Sequence, residues 1–372
     1  MKLVFASDSF KGSLSQKKII ELLMDSARRK LPEAECVGVP VADGGEGTVE
    51  ALVAALGGTM HTVEVHGPRM EPVQAKYGEL PGGKAIIEMA EASGLYLVPV
   101  PNQNPMYTTT YGFGELIKDA LDRGMRDITV GLGGSAPHDG GMGALIALGF
   151  RFFDKNDNEL KGYGRELCDV ARINAKNVDP RITEAKFTVM CDVTNPLIGE
   201  HGATFTFGPQ KGASISDLLV LEESMKHYAR VCEQFLGRDI MNIPGAGAAG
   251  GLGAAMYGFL NGQMKSGIQT VLDLVKFDDI IADADYVITG EGKLDDQSVQ
   301  GKVISGIAGR CKAQNKPCIA IVGCTGDGYQ SILACGVTDI YVTSGDMDMY
   351  AAMAHADNYY RKTADAVFDM LK

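Results

Sequence analysis

Most of the residues able to do chemistry in this chain sit in short, glycine-bearing loops that follow an apolar run. Residues 187–191 lead into Cys191-Asp192-Val193-Thr194-Asn195-Pro196, which sets a carboxylate and an amide three residues apart where a strand would end. A carboxylate there can orient or deprotonate a hydroxyl, or serve only to turn the chain as an Asx residue. Asp192 is the candidate catalytic group, with Asn195 on the substrate side. Asp43-Gly44-Gly45-Glu46 places two carboxylates across two glycines, directly before a helical stretch. They repel one another unless a cation or a helix N-terminus compensates. Asp43 and Glu46 are therefore candidate magnesium ligands, with helix capping as the plain alternative.

Four further loops carry polar groups in excess of what a turn needs. Residues 7–13, Ser-Asp-Ser-Phe-Lys-Gly-Ser, offer hydroxyls at Ser9 and Ser13 and a cation at Lys11. Thr108, Thr109 and Thr110 precede a helix, and capping accounts for one threonine, not three. Residues 131–149 hold Gly133, Gly134, Ser135, His138 and Asp139, a small-residue loop suited to a phosphate or carboxylate. Residues 290–298 put Gly292, Lys293 and Asp295 together, groups that suit a metal and a nucleotide.

Two familiar fingerprints fail on their context. Residues 78–85 come close to the P-loop spacing, but Ala85 stands where the metal-binding hydroxyl belongs and strand-like runs flank both sides, so a hairpin turn is expected. Residues 245–250 spell G-x-G-x-x-G, yet the run before them is a poor strand. Gly245 and Gly247 are read as a phosphate-facing turn or as close helix packing, with a nicotinamide site as the lesser alternative.

The elements that must position these loops form an α/β pattern. Apolar runs at 2–6, 36–41, 286–289, 318–322 and 340–343 alternate with helical periodicity, as parallel strands do. From residue 58 the texture changes to short runs at 62–65, 73–77 and 84–89 joined by Gly/Pro turns, which predicts antiparallel pairing. The fold class expected is α/β in two domains. One is a Rossmann/flavodoxin-like parallel-sheet domain built from both chain ends, 1–60 and 284–372. The other is an inserted α/β domain with a mixed sheet, 61–283, and a cleft between the two would collect the loops. A helix capped by Ser216 is expected in the inserted part, with His227 beside its apolar stripe in a structural role.

Composition narrows the function. A net charge of −12, with no Lys/Arg stripe, makes nucleic acid a poor partner. Eight cysteines form no Cys-x-x-Cys pair and no signal-like segment precedes them, so reduced, cytoplasmic thiols are expected. The uncharged stretch 241–264 reaches membrane-spanning length but is rich in Gly and Ala, so a buried helix is expected and no membrane partner.

Taken together, Phe-Lys-Gly-Ser at 10–13, Pro-Val-Ala-Asp-Gly-Gly-Glu-Gly at 40–47, and the segments 87–95, 131–143, 191–199, 207–213, 244–251 and 288–301 resemble the bacterial glycerate kinases of type one across essentially the whole chain. The resemblance implies phosphorylation of D-glycerate by ATP with magnesium, usually at the 2-hydroxyl, and a fold unrelated to P-loop kinases. On this reading Asp192, Lys11 and Asp295 are catalytic, Ser9, Ser13, Thr108, Thr109, Thr110 and Asn195 face glycerate, and Gly133, Gly134, Ser135, Asp139, Gly245, Gly247, Gly292 and Lys293 face ATP. Asp43 and Glu46 hold magnesium, and a homodimer is allowed. Thr110-Tyr111 and Pro137-His138 depart from the family's usual pairs, which leaves a glycerate 3-kinase open. A hydroxy-acid dehydrogenase and a non-catalytic sugar-phosphate sensor are the readings from other classes.

Overall fold

A computed structural model describes residues 1–10, 12–42, 44–45, 47–299, 302–345 and 353–372. The N-terminal stretch contributes strands β1 (Lys2–Phe5) and β2 (Glu35–Gly38), joined by the helix Gln16–Lys30. The middle contributes β3 (Thr59–His66), β4 (Pro72–Leu80), β5 (Lys84–Glu88), β6 (Asp127–Gly131), β7 (Arg151–Phe153), β8 (Arg172–Asn174), β9 (Lys186–Met190) and β10 (Gln263–Lys265). The C-terminal stretch adds β11 (Tyr286–Thr289), β12 (Lys293–Leu294), β13 (Cys318–Val322), β14 (Cys324–Thr325) and β15 (Asp339–Val342), and ends in the helix Ala356–Met370.

Five strands form a sheet in the order β15-β13-β11-β1-β2, every pair parallel. Both faces of such a sheet are covered, which is why Leu3, Val4 and Phe5 are all buried and the sequence shows an unbroken apolar run. The helix Gln16–Lys30 buries Ile19, Leu22, Leu23 and Ala27, one stripe at helical spacing, and Ser15 caps it by accepting the Lys18 N–H. From β1 the chain moves outward to β2, whereas β11, β13 and β15 build on β1's other side. The strand order therefore reverses between β1 and β11, the place where open parallel sheets bind ligands.

The second sheet runs β10-β9-β6-β5-β4-β3, with β10, β9, β6 and β5 parallel and β4 and β3 antiparallel. This is the mixed sheet expected. The turn at 81–83 joins β4 to β5 as a hairpin, with Gly82 and Gly83 at φ of 84° and 71°. The P-loop look-alike is thereby accounted for, since these glycines supply the left-handed backbone the turn requires. Two short pairs, antiparallel β7·β8 and parallel β12·β14, stand apart from the large sheets.

By internal contact the chain divides into two compact units, Met1–Asp43 with Ile268–Lys372, and Gly44–Gly267. The boundaries expected from the sequence, 60/61 and 283/284, differ from these because of three helices. The helix Thr48–Leu56 packs on the middle sheet, where Gly78 leaves room for Val49 and Val53. The helices Gly267–Leu274 and Phe277–Ile281 belong to the other unit, tied by Arg310 to Asp273 at 2.6 Å and Asp278 at 2.5 Å.

The uncharged stretch 241–264 folds into the buried segment Ala248–Leu260, which is helical beyond a left-handed kink at Ala249, Gly250 and Gly251, with φ of 51°, 65° and 94°. Among the described residues no helix is long and apolar enough to cross a membrane. All eight cysteines are free thiols. The long helix Ile215–Leu236 begins two residues earlier than expected. Its cap is Ser214, which forms a reciprocal capping box with Asp217, and not Ser216.

Candidate active site

In the middle unit the parallel strands end together, because β5, β6 and β9 pair with Glu88 opposite Gly131 and Gly131 opposite Met190. Glu88, 6% exposed, accepts the Val49 N–H at 2.9 Å and so moors the start of the helix Thr48–Leu56 to the sheet. Burial pushes its carboxyl up to about 7, and the hydrogen bond from Val49 opposes that rise. A side chain at Gly131 would meet the Gly44 carbonyl at 2.7 Å, so the backbone at 44–45 lies directly over the end of β6. Beyond that point Gly133 and Gly134 are exposed, and their N–H groups find no acceptor among the described residues. Asp192 is exposed two residues past β9, where one of its oxygens accepts the Gly267 N–H at 3.0 Å. Glu88, the 133–135 loop and Asp192 thus share one edge of one sheet. An acidic residue ending a strand has no local signature in the sequence, and the partner of Glu88 is 39 residues away.

The threonine run has a different task from the one expected. Thr108, Thr109, Thr110 and Asp139 are all buried, at 2% exposure or less. Asp139 accepts from the Thr110 N–H at 2.7 Å and hydroxyl at 2.8 Å, from the Gly141 N–H at 3.0 Å and from the Gly143 N–H at 3.2 Å. Thr110 Oγ1 in turn accepts the Ala144 N–H at 2.9 Å. With every strong donor and acceptor turned inward, Asp139 and these threonines position the loop and do not present groups to a ligand. His138 is likewise fully buried, its Nε2 3.0 Å from Thr204 Oγ1, and burial followed by the Lys211 charge pushes its pKa down to about 3. It is a neutral imidazole of the core.

Beside this node lies a residue that the sequence reading did not single out. Lys211 is 2% exposed, and its ammonium donates to Ser135 Oγ at 2.8 Å and to the Pro137 carbonyl at 2.6 Å. A lone lysine in Gly-Pro-Gln-Lys-Gly gives no hint that it is buried.

The glycines at 245–250 face protein. A Cβ on Gly247 would fall 2.3 Å from the Pro196 carbonyl, and one on Gly250 2.3 Å from the Pro137 carbonyl. The Gly247 N–H is bonded to the Asn195 carbonyl at 3.0 Å. Close packing is the reason for these glycines, so Gly245 and Gly247 leave the set of phosphate ligands, and the nicotinamide reading loses its loop. The half-buried Asn195 donates to the His201 carbonyl at 2.7 Å in an exposed hydrogen bond that shapes the 191–196 loop.

In the unit built from the chain ends, the loops after β1 and β11 flank the strand-order reversal. The Asp8 N–H donates to the Gly290 carbonyl at 2.9 Å, which carries the pairing one step past the strands. Ser9 N–H donates to Asp8 Oδ1 at 2.7 Å, and Ser13 donates to the Phe10 carbonyl at 3.1 Å, so both serines brace their own loop. Glu291, in the same 290–298 stretch, is 6% exposed and carries a buried oxygen, Oε1, that finds no hydrogen-bond partner among the described residues. Burial pushes its carboxyl up to about 7, Ser298 and Lys302 oppose, and the carboxylates of Asp8 and Asp295 push the same way as burial. Lys293 pairs with Asp295 at 3.1 Å. Carboxylates at such a crevice suit a hard divalent cation. No cluster of three or more ligating side chains stands ready for a metal among the described residues, and Lys11, Asp43 and Glu46 lie outside them.

An α/β enzyme with its polar groups at the carboxyl ends of parallel strands, and without a P-loop, is the class that fold and site define. The glycerate kinase family model matches residues 3–372, and the chain belongs to the glycerate kinase family. It is 45% identical over 342 residues to a glycerate 2-kinase of Escherichia coli, covering 92% of this chain and 90% of that one. It is 43% identical over 365 residues to a glycerate kinase of Halalkalibacterium halodurans, covering 97% and 96%. A crystal structure from Salmonella typhimurium, assigned to the glycerate kinases, superimposes with a TM-score of 0.90 at 41% identity and covers 100% of this chain and 98% of that one. The protein is an enzyme of the kinase class.

Proposed function

We propose that the protein transfers the γ-phosphoryl group of ATP to D-glycerate and releases 2-phosphoglycerate. The observation that carries the reading is the family match over residues 3–372, with the named 2-kinase of Escherichia coli as support for the position. In the middle unit, Asp192 orients or deprotonates the attacking hydroxyl, and the N–H groups of Gly133 and Gly134 with the Ser135 hydroxyl receive an oxyanion. In the unit of the chain ends, Glu291 and Asp295 would flank a magnesium ion that the ATP phosphates themselves bring, and Lys293 faces phosphate. Lys11, Asp43 and Glu46 keep the roles read from the sequence. The metal, when bound, supplies charge compensation on the phosphates. Phosphoryl transfer needs mostly positioning and charge compensation, which suits several moderate contacts in place of one dominant base.

A coupled assay of ADP release over glycerate, tartronate and simple sugars, with NMR of the product, tests the reading. Release with glycerate and a product phosphorylated at the 2-hydroxyl is expected. A 3-phosphorylated product moves the assignment to a 3-kinase, and binding without ADP release makes the protein a sensor.

A further inference from the structure

Lys211 is a buried cation with no carboxylate bonded to it. It takes part in none of the ion pairs within 4.0 Å among the described residues, although its side chain is 2% exposed. Two charged or titratable groups face it. Asp139 acts on it only through its field, its oxygens being held by Thr110, Gly141 and Gly143, and His138 is neutral. Burial pushes the lysine down to about 7. Taking a cation out of water without a paired anion costs free energy, and a methionine would fill the same space without that cost.

The partner of Lys211 shows what the charge serves. Ser135 Oγ accepts the ammonium hydrogen bond at 2.8 Å, so the serine's own proton must point elsewhere, and no acceptor for it exists among the described residues. Ser135 keeps 9% exposure, and the two residues before it, Gly133 and Gly134, are exposed with N–H groups that also find no acceptor among the described residues. Three neighbouring donors, backed by an amine whose charged form a bound anion favours, make a site for an anion.

We propose that Lys211 is a positioning residue for an oxyanion, the carboxylate of glycerate or a phosphate of ATP, bound by the Ser135 hydroxyl and the N–H groups of Gly133 and Gly134. Lys211 fixes the direction of the Ser135 proton and places its charge behind it. The assignment rests on the kinase reading given above for the identity of the anion, but the site itself is testable without turnover.

The test uses Ser135→Ala and Lys211→Met, singly and together, with KM for glycerate and for ATP measured separately. Isothermal titration of glycerate and of inorganic phosphate into the same proteins gives binding without catalysis. Each single variant is expected to raise one of the two KM values roughly ten- to a hundredfold, the effect of losing a charge-assisted hydrogen bond, with a much smaller change in kcat. The double variant should be no worse than Lys211→Met alone. A rise confined to glycerate places the carboxylate in the loop, and a rise confined to ATP with weakened phosphate binding places a phosphate there. Ser135→Ala keeps the Lys211 bond to the Pro137 carbonyl and carries the test if Lys211→Met does not fold. Unchanged KM values and unchanged binding in Ser135→Ala, with lost thermal stability as the only effect of Lys211→Met, overturn the proposal. If the wild-type protein phosphorylates no glycerate, the kinase reading falls, while the two titrations still decide whether the loop binds an oxyanion.

Discussion

Thr110 and Asp139 are joined twice, the threonine's N–H and its hydroxyl both donating to one carboxylate oxygen, at 2.7 Å and 2.8 Å. Both residues are fully buried, so the pair anchors the loop that leads from β6. Thr110→Val keeps the shape but removes the hydroxyl from Asp139 and the acceptor from the Ala144 N–H. A loss of about 1–3 kcal/mol is expected in urea unfolding, from the buried groups left unsatisfied. The KM for glycerate should not move; a raised KM with unchanged stability would restore the threonine to the ligand.

Asp192→Asn isolates charge from shape. The asparagine Oδ1 can still accept the Gly267 N–H, so the melting temperature should hold. Turnover should fall about a hundredfold or more if the carboxylate takes or orients the hydroxyl proton. Near wild-type turnover would remove Asp192 from the chemistry.

Gly247→Ala addresses the glycine loop. The new methyl would stand 2.3 Å from the Pro196 carbonyl, a contact that forces the backbone apart. Low soluble yield or a clearly lower melting temperature is expected. A stable variant with a raised KM for ATP would instead return this loop to the phosphates.

Lys211 gives a pH signature. Its pKa falls from an ordinary 10.5 to about 7 in the folded protein, so between those values the unfolded chain binds the extra proton. Stability contributed at this site is therefore lowest below pH 7 and rises as pH climbs toward 10. Urea unfolding of wild type and Lys211→Met at intervals from pH 7 to 10 should show the wild type gaining on the variant. A constant difference would mean that the lysine keeps its ordinary pKa.

Glu291→Gln probes the crevice between β1 and β11. Isothermal titration of magnesium in the presence of a non-hydrolysable ATP analogue should show weaker binding of the metal, because a carboxyl that a cation would draw into its charged form is replaced by a neutral amide. Unaltered affinity would assign Glu291 to the packing of its own loop.

Much of the fold was legible because its signals are local. Unbroken apolar runs marked β1, β11 and β13 as two-sided parallel strands, and glycines at 82 and 83 marked the hairpin between β4 and β5. The placing of polar residues after strands was legible for the same reason, and the motif string in 10–13, 40–47 and 191–199 pointed to the family. What could not be read was which polar groups would face one another. Lys211 and Ser135 are 76 residues apart, Glu88 and Val49 39, Asp139 and Thr110 29, and no spacing along the chain encodes those contacts. The helix Thr48–Leu56 likewise says in its sequence that it has an apolar face, not which sheet that face meets. Local periodicity determined the elements and the loops that end them. Tertiary packing decided which of those loops keep their hydrogen bonds for the protein, as at Asp139 and Gly247, and which leave donors over, as at Gly133, Gly134 and Ser135, because burial and long-range partners are set only once the sheets assemble.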